Sequence, residues 1–269
     1  RVLGGRTHTM NLSRLTTYAE ERVLATIKSL SGDKAMVVDA SLSGALGHIV
    51  QPDNLSATGV SATVMLVPGG DVPSLHQRRL VFLVRASFTT LRSVAATIMK
   101  HRAEDERKGK GEYLIVLVPG MTTGMAERVL EEEGVFDDSV LRVTSLDLGF
   151  LPVGDNVLSS MYPDSFRDVV LMGDSAPLFH AAKCILQLEL MYHVTFSDIK
   201  GLGVAAKTVA DLLPTLRKLV NIPAPHTAPR LAQLVLLDRQ ADLLSAMVSQ
   251  SVGVPEAPEG EEEEEGYRV

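Results

Sequence analysis

Leu80-Val81-Phe82-Leu83-Val84, the helical stretch Ser87 to Arg107, and Tyr113-Leu114-Ile115-Val116-Leu117-Val118 decide the fold. Both apolar runs are unbroken and short, the pattern of a strand buried on both faces, and a helix fits between them. Two parallel strands need such a crossover, so strand–helix–strand predicts a parallel sheet with helices packed on it. Outward from this unit the pattern repeats. Val60 to Val67 is a further strand closed by Pro68-Gly69-Gly70, and Ala35-Met36-Val37-Val38 is another that ends in Asp39. Pro119-Gly120 closes the run at Val118, and Thr123 to Glu133 reads as a helix. Before the first strand, Leu15, Tyr18, Ala19, Val23, Ile27 and Leu30 recur near a 3.6-residue period until Ser31-Gly32-Asp33 stops the helix. The expected fold class is α/β: a doubly wound parallel-sheet domain over 33–150, preceded by a segment, 1–32, carrying a helix.

The pattern changes near Leu148 to Gly154, where Pro152 and two glycines interrupt it. Helices are expected at about Pro163 to Leu171, Ser175 to Tyr192 and Val204 to Val220, followed by a proline-rich stretch from Ile222 to Pro229. Leu234 to Leu237 then forms a run long enough for a strand buried on both faces, leading into Asp238, Arg239 and Asp242. Residues 151–251 are therefore expected to be the first half of a second, incomplete α/β domain. Residues 252–269, with seven glutamates against Arg268, are expected to be a disordered acidic tail.

Composition narrows the functional classes. The formal charge is −7, of which the tail carries −6, so the body is nearly neutral and unsuited to nucleic acid. No apolar run is long enough to span a bilayer. The single cysteine, Cys184, excludes an internal disulfide and lies in an apolar helical pattern that predicts a buried, inert thiol. The chain starts at Arg1 without an initiator Met or an apolar signal core, and is read as a fragment or an incomplete gene model.

The candidate chemical motifs mostly favour structural roles. Gly201-Leu-Gly203-Val-Ala-Ala206 fits a dinucleotide loop on paper, but the polar stretch before it and the absence of an acidic residue about 20 positions on favour a helix-start turn. Seven dispersed histidines and one cysteine show no metal spacing. Asp174, His180 and Lys183 are expected to cap and pin one helix. For Asp238, Arg239 and Asp242, a structural ion network in which Arg239 bridges both carboxylates competes with a metal or phosphate site.

The order of these motifs resembles the SM (Sec/Munc) family. The likeness runs from about Asp33 to Gln250 and is strongest at Leu146-Asp147-Leu148, Leu151-Pro152, Asp155, Leu158-Ser159-Ser160-Met161 and Ser165-Phe166-Arg167-Asp168. It continues through Leu171, Gly173-Asp174-Ser175 and Leu178-Phe179-His180-Ala181-Ala182-Lys183 to Leu236-Leu237-Asp238-Arg239, Asp242-Leu243 and Gln250, and Val81 to Arg85 and Val118-Pro119 also fit. Within the family the pattern is most similar to the vacuolar protein sorting class C branch, subunit thirty-three. Ala86 stands where that branch has Pro, and Gly120-Met121 stands where it has a basic pair. After about Gln250 the acidic tail replaces the family's helical arch and the rest of its second α/β domain.

The resemblance implies a non-enzymatic regulator of SNARE-driven vesicle docking and fusion. It implies SNARE proteins and subunits of HOPS- or CORVET-type tethers as partners, no cofactor, and a place at late endosomes and vacuoles or lysosomes. It also shifts the weight for Asp238, Arg239 and Asp242 to the structural network. Without the arch, poor binding of assembled SNARE helices is expected, and the half-built second sheet should leave an edge and an apolar face that aggregates or leans on a partner. The alternative is a small α/β enzyme or nucleotide-binding protein with its site at the strand ends, near Asp39, Pro68, Pro119 or Asp238.

Overall fold

The computed structural model describes residues 12–70, 72–85, 87–104, 111–118, 122–154, 157–220, 233–241 and 243. Asp242, Pro119, the proline-rich stretch at 222–229 and the acidic tail lie outside these residues.

Five parallel strands form the first sheet: β1 (Lys34–Asp39), β2 (Val60–Leu66), β3 (Arg79–Arg85), β4 (Glu112–Val118) and β5 (Leu141–Ser145), in the order β2-β1-β3-β4-β5. Val37 stands opposite Val64 and Phe82, and Ile115 opposite Phe82 and Val143. Successive side chains point to opposite faces, so each strand feeds two layers. Val37, Phe82, Val84 and Ile115 pack with Leu91, Val94 and Ile98 of α4 (Phe88–Glu104) and Ala126 and Leu130 of α5 (Thr123–Glu132). Met36, Val38, Val81, Leu83 and Val116 pack with Ala19, Val23 and Ile27 of α1 (Ser13–Lys28) and Leu42 and Ile49 of α2 (Ala40–Ile49). The doubly wound α/β class expected from the apolar runs is the one observed. Each of the enclosed Val, Leu, Ile, Phe and Met side chains contributes roughly 1.5–3 kcal/mol by leaving water.

The sequence pattern passes over α2, the short α3 (Pro52–Ser56) and β5. α2 contains Ser41, Ser43, Gly44 and Gly47, which blur any apolar period, and it begins because Asp39 accepts the Ser41 N–H at 2.9 Å. β5 lies at the sheet edge and is largely polar. The expected break near Leu148 is occupied by an antiparallel pair, β6 (Leu151–Gly154) and β7 (Val157–Ser159). Leu146, Leu148 and Leu151 are buried in the same core as α1 and α2, with Met161 packed on it, so the first core reaches past the expected boundary.

The later part holds α6 (Ser165–Val170), α7 (Ala176–Tyr192), β8 (Asp198–Leu202), α8 (Val204–Val220), β9 (Gln233–Leu237) and a 3-10 turn at Arg239–Ala241. β8 and β9 pair in parallel, with Ile199 opposite Leu234. Ala182, Ile185 and Leu186 of α7 meet Val209, Leu213 and Leu216 of α8, and Leu234 and Leu236 pack against them. Buried Glu189 on α7 accepts hydrogen bonds from the Phe196 N–H (2.8 Å) and Arg217 Nε (2.8 Å), tying α7 to α8.

Two expectations are corrected here. Leu234 to Leu237 is not buried on both faces: Val235 is 56% exposed and Leu237 74%. The reason is that, among the described residues, this sheet has two strands and α7 and α8 pack on one of its faces. The polar stretch before Gly201 is also part of a strand, β8, because pairing with β9 supplies the hydrogen bonds that its own composition does not advertise.

Candidate functional site

In the order β2-β1-β3-β4-β5, the chain changes direction across the sheet between β1 and β3. Open α/β sheets admit ligands just beyond the strand ends at such a point. Here the two strands end in Asp39 and Arg85. Asp39 Oδ1 accepts from Ser41 N (2.9 Å) and Ser41 Oγ (2.7 Å), and Oδ2 accepts from the Arg85 amide at 3.3 Å. The Arg85 side chain then donates from Nε to Ser41 Oγ (2.8 Å) and from Nη1 to the Met161 carbonyl. Burial lowers the Arg85 pKa, opposed by the nearby Asp39 and Asp164 carboxylates. The mouth of the sheet is thus occupied by an arginine that reaches across to the following segment.

Beyond Arg85 lies a cleft of about 800 Å³ between Asp39 and Ser41, Ser87 and Phe88, and the stretch from Tyr162 to Asp174. A second space, about 460 Å³, is lined by Leu117, Ser145, Asp147, His180 and Lys183. A third, about 490 Å³ and mainly apolar, is bounded by Phe150, Phe166, Leu178, Leu236 and Leu237. Tyr162 borders all three. Burial, followed by the charges of Asp168, Asp174 and Asp164, raises its phenol pKa.

The residues expected to form one helix-pinning trio fan out instead. Asp174 Oδ1 accepts the Ala176 N–H at 2.8 Å at the start of α7. His180 Nε2 lies 3.3 Å from the Ser160 carbonyl and 3.5 Å from Cys184 Sγ. Lys183 pairs with Asp147 at 2.5 Å, joining α7 to the segment that follows β5. Burial pushes the Asp147 carboxyl up, but the Lys183 hydrogen bond and charge, with His180 and the Gly149 N–H, outweigh it and hold its pKa below the usual value. Cys184 is buried as its apolar surroundings predict, and burial pushes its thiol up to about 12, leaving it protonated and unreactive at neutral pH.

The ion network expected at Asp238, Arg239 and Asp242 takes a different form. Asp238 Oδ2 accepts the Ala205 N–H at 3.0 Å, Oδ1 accepts the Gln240 N–H at 2.9 Å, and its own amide donates to Leu202 O at 2.9 Å. Among the described residues no ion pair joins Asp238 to Arg239, and Asp242 lies outside them. The carboxylate caps the N-terminus of α8 from the neighbouring strand. Gly203 is left-handed at φ +99°, and a Cβ there would lie 2.3 Å from Asp238 Cβ. Gly201 therefore lies within β8 and Gly203 between that strand and α8, but the anion position at that helix start is filled by the chain's own Asp238.

Among the described residues no group of three or more His, Cys, Asp or Glu side chains is arranged to hold a metal ion, and no helix is long and apolar enough to cross a membrane. Arg85, Ser41, Met161 and Asp147 are the site residues that spacing does not reveal. A charge at the exit of a buried strand marks Arg85, but its partners are 44 and 76 positions away.

A five-stranded doubly wound sheet, with the arginine and aspartate at its strand ends bonded to the protein beside an open cleft, defines a doubly wound α/β protein. The Sec1 family profile matches residues 34–252, and the chain belongs to the Sec1 family. It is 29% identical over 242 residues to vacuolar protein sorting-associated protein 33A of Rattus norvegicus, covering 90% of this chain and 39% of that protein. It is 26% identical over 242 residues to the vacuolar protein-sorting-associated protein 33 homolog of Arabidopsis thaliana, with the same coverage. The chain thus spans about two fifths of the length of the curated relatives it matches. Among solved structures, the fold is similar to the SM protein Vps45, with a TM-score of 0.57, 16% identity, and coverage of 88% of this chain and 44% of that one. It is also similar to the Unc18–syntaxin 1 complex from Monosiga brevicollis, with a TM-score of 0.56, 13% identity, and coverage of 88% and 42%.

Proposed function

We propose that this chain is part of an SM-type regulator of SNARE-mediated vesicle docking and fusion, acting in transport from endosomes to the vacuole or lysosome. The observation that carries this reading is the family match across residues 34–252, joined to vacuolar sorting relatives that align with 90% of the chain. The strand-end contacts support it, since Asp39 and the Nε and Nη1 groups of Arg85 bond to the protein itself at the edge of the cleft. In this reading the protein is not an enzyme and needs no cofactor. It works as a protein-binding subunit of a HOPS- or CORVET-type tether, cytoplasmic and peripheral on late endosomal or vacuolar membranes, held there by partners. In this reading residues 33–150, with Leu151 and Met161 packed on their core, form its first α/β domain, and the remainder of 151–251 belongs to the first half of the second.

Immobilised residues 1–269 are expected to retain tether subunits from solution while retaining the assembled four-helix SNARE bundle poorly. Capture of the bundle at low micromolar concentration would show that SNARE recognition already resides in these residues. Failure to retain any purified tether subunit would remove the scaffold reading.

A further inference from the structure

We propose that residues Met161 to Asp174 form a strap that opens from the switch-point crevice, with Arg85 as its latch. The strap holds itself together. Arg167 pairs with Asp164 (3.3 Å) and Asp168 (2.9 Å), and the amides of Met172 and Asp174 return to the carbonyls of Arg167 (3.2 Å) and Asp168 (2.9 Å). Its helix, α6, contributes no buried side chain, whereas α7 directly after it buries eight. Segments with little buried apolar surface are the ones that open at low free-energy cost.

Both ends carry left-handed backbone, Met161 at φ 55° and Gly173 at φ 68°. A Cβ on Gly173 would meet nothing within 4 Å, so its backbone conformation and not crowding favours glycine there. Met161 has no such excuse, and a non-glycine residue in this region is held by its surroundings. Among the described residues, the one hydrogen bond from the strap to the first sheet is Arg85 Nη1 to the Met161 carbonyl. Ser41, fixed by Asp39, aims the guanidinium by accepting from its Nε. Asp164, Arg167 and Met172 border the crevice while Phe166 and the half-buried Val169 and Val170 line the apolar groove behind it, with Phe166, Leu171 and Met172 exposed. Released at Met161, it would swing about Gly173 and join the crevice to the apolar groove on its other side, since Tyr162 borders both.

Hydrogen exchange of the whole 269-residue chain, read on peptides spanning the strap and α7, tests this. The strap amides are expected to exchange about tenfold or more faster than those of α7 in the wild type. Arg85→Lys cannot fork to both Ser41 and the Met161 carbonyl, and should speed the strap by a further factor of about five with α7 unchanged. Ser41→Ala, which leaves Arg85 in place, should give the same direction with a smaller factor. A wild-type strap as slow as α7 overturns the proposal, as does either variant changing strap and helix equally.

Discussion

The two parallel sheets of this molecule use the same strand–helix–strand logic and end with opposite surfaces. In the first, β1 is buried along its whole length and helices cover both faces. In the second, β9 alternates between half-buried and exposed residues, and helices cover one face. An apolar run therefore sets where a strand lies, while the number of layers around it decides how much of the run leaves water. The strand ends differ too. The first sheet places an arginine over its mouth to grip a carbonyl from the next segment, and the second closes its helix start with an aspartate.

The contrast in burial predicts the largest difference in stability. Phe82→Ala should cost about 3–5 kcal/mol in urea unfolding, because a fully buried ring leaves a cavity. Leu237→Ala, on the open face, should stay within about 0.5 kcal/mol. Equal costs would mean that the exposed face of β9 is covered in solution. Within the second unit, Arg217→Ala should cost about 3–5 kcal/mol by leaving the buried Glu189 carboxylate without its guanidinium. Arg217→Ala together with Glu189→Gln should recover part of that loss, and no recovery would separate the effect from the charge.

A smaller effect is expected at the helix start. Asp238→Ala should cost about 1 kcal/mol, the usual size of a lost N-cap, and Asp238→Asn should recover most of it. The smallest effect is the pH dependence of the link between the units. The Asp147 pKa is lowered in the folded chain, so its contribution is fully present above the ordinary carboxylate range and is lost as pH falls through its folded value. Glu112, held low first by its hydrogen bond from Arg79, behaves in the same direction within the first sheet. Melting temperatures from pH 7 down to pH 3 should fall less steeply in Asp147→Asn than in the wild type, with the variant already less stable at pH 7. Parallel curves would remove Asp147 from the account.

The first sheet was readable because strands enclosed on both faces leave unbroken apolar runs, at Val81 to Val84 and Leu114 to Val118. α2 was not, since its glycines and serines carry no period and its start depends on the carboxylate of Asp39. β8 reads as polar because its few apolar contacts lie on one face of a two-stranded sheet. At the candidate site, the position of Asp238 as the residue closing a strand was legible, but its partner was not. The Ala205 amide is 33 positions earlier, and nothing in the local spacing of Asp238, Arg239 and Asp242 points to it. Lys183 likewise read as a helix-pinning residue, while the carboxylate it holds is Asp147, 36 positions away.

At the places where an α/β fold can receive a nucleotide, the strand-end groups are bonded to the chain itself, Arg85 and Asp39 beside the cleft and Asp238 at the start of α8, and we propose that neither place takes one. Thermal unfolding of residues 1–269 with saturating ATP or GTP and Mg²⁺ tests it most directly. A ligand at about 100 times its Kd adds about 2.7 kcal/mol, which for a chain of this size raises Tm by roughly 5–10 °C. The account predicts no shift with either nucleotide. A rise of several degrees that disappears in Arg85→Ala or Asp238→Ala would contradict it.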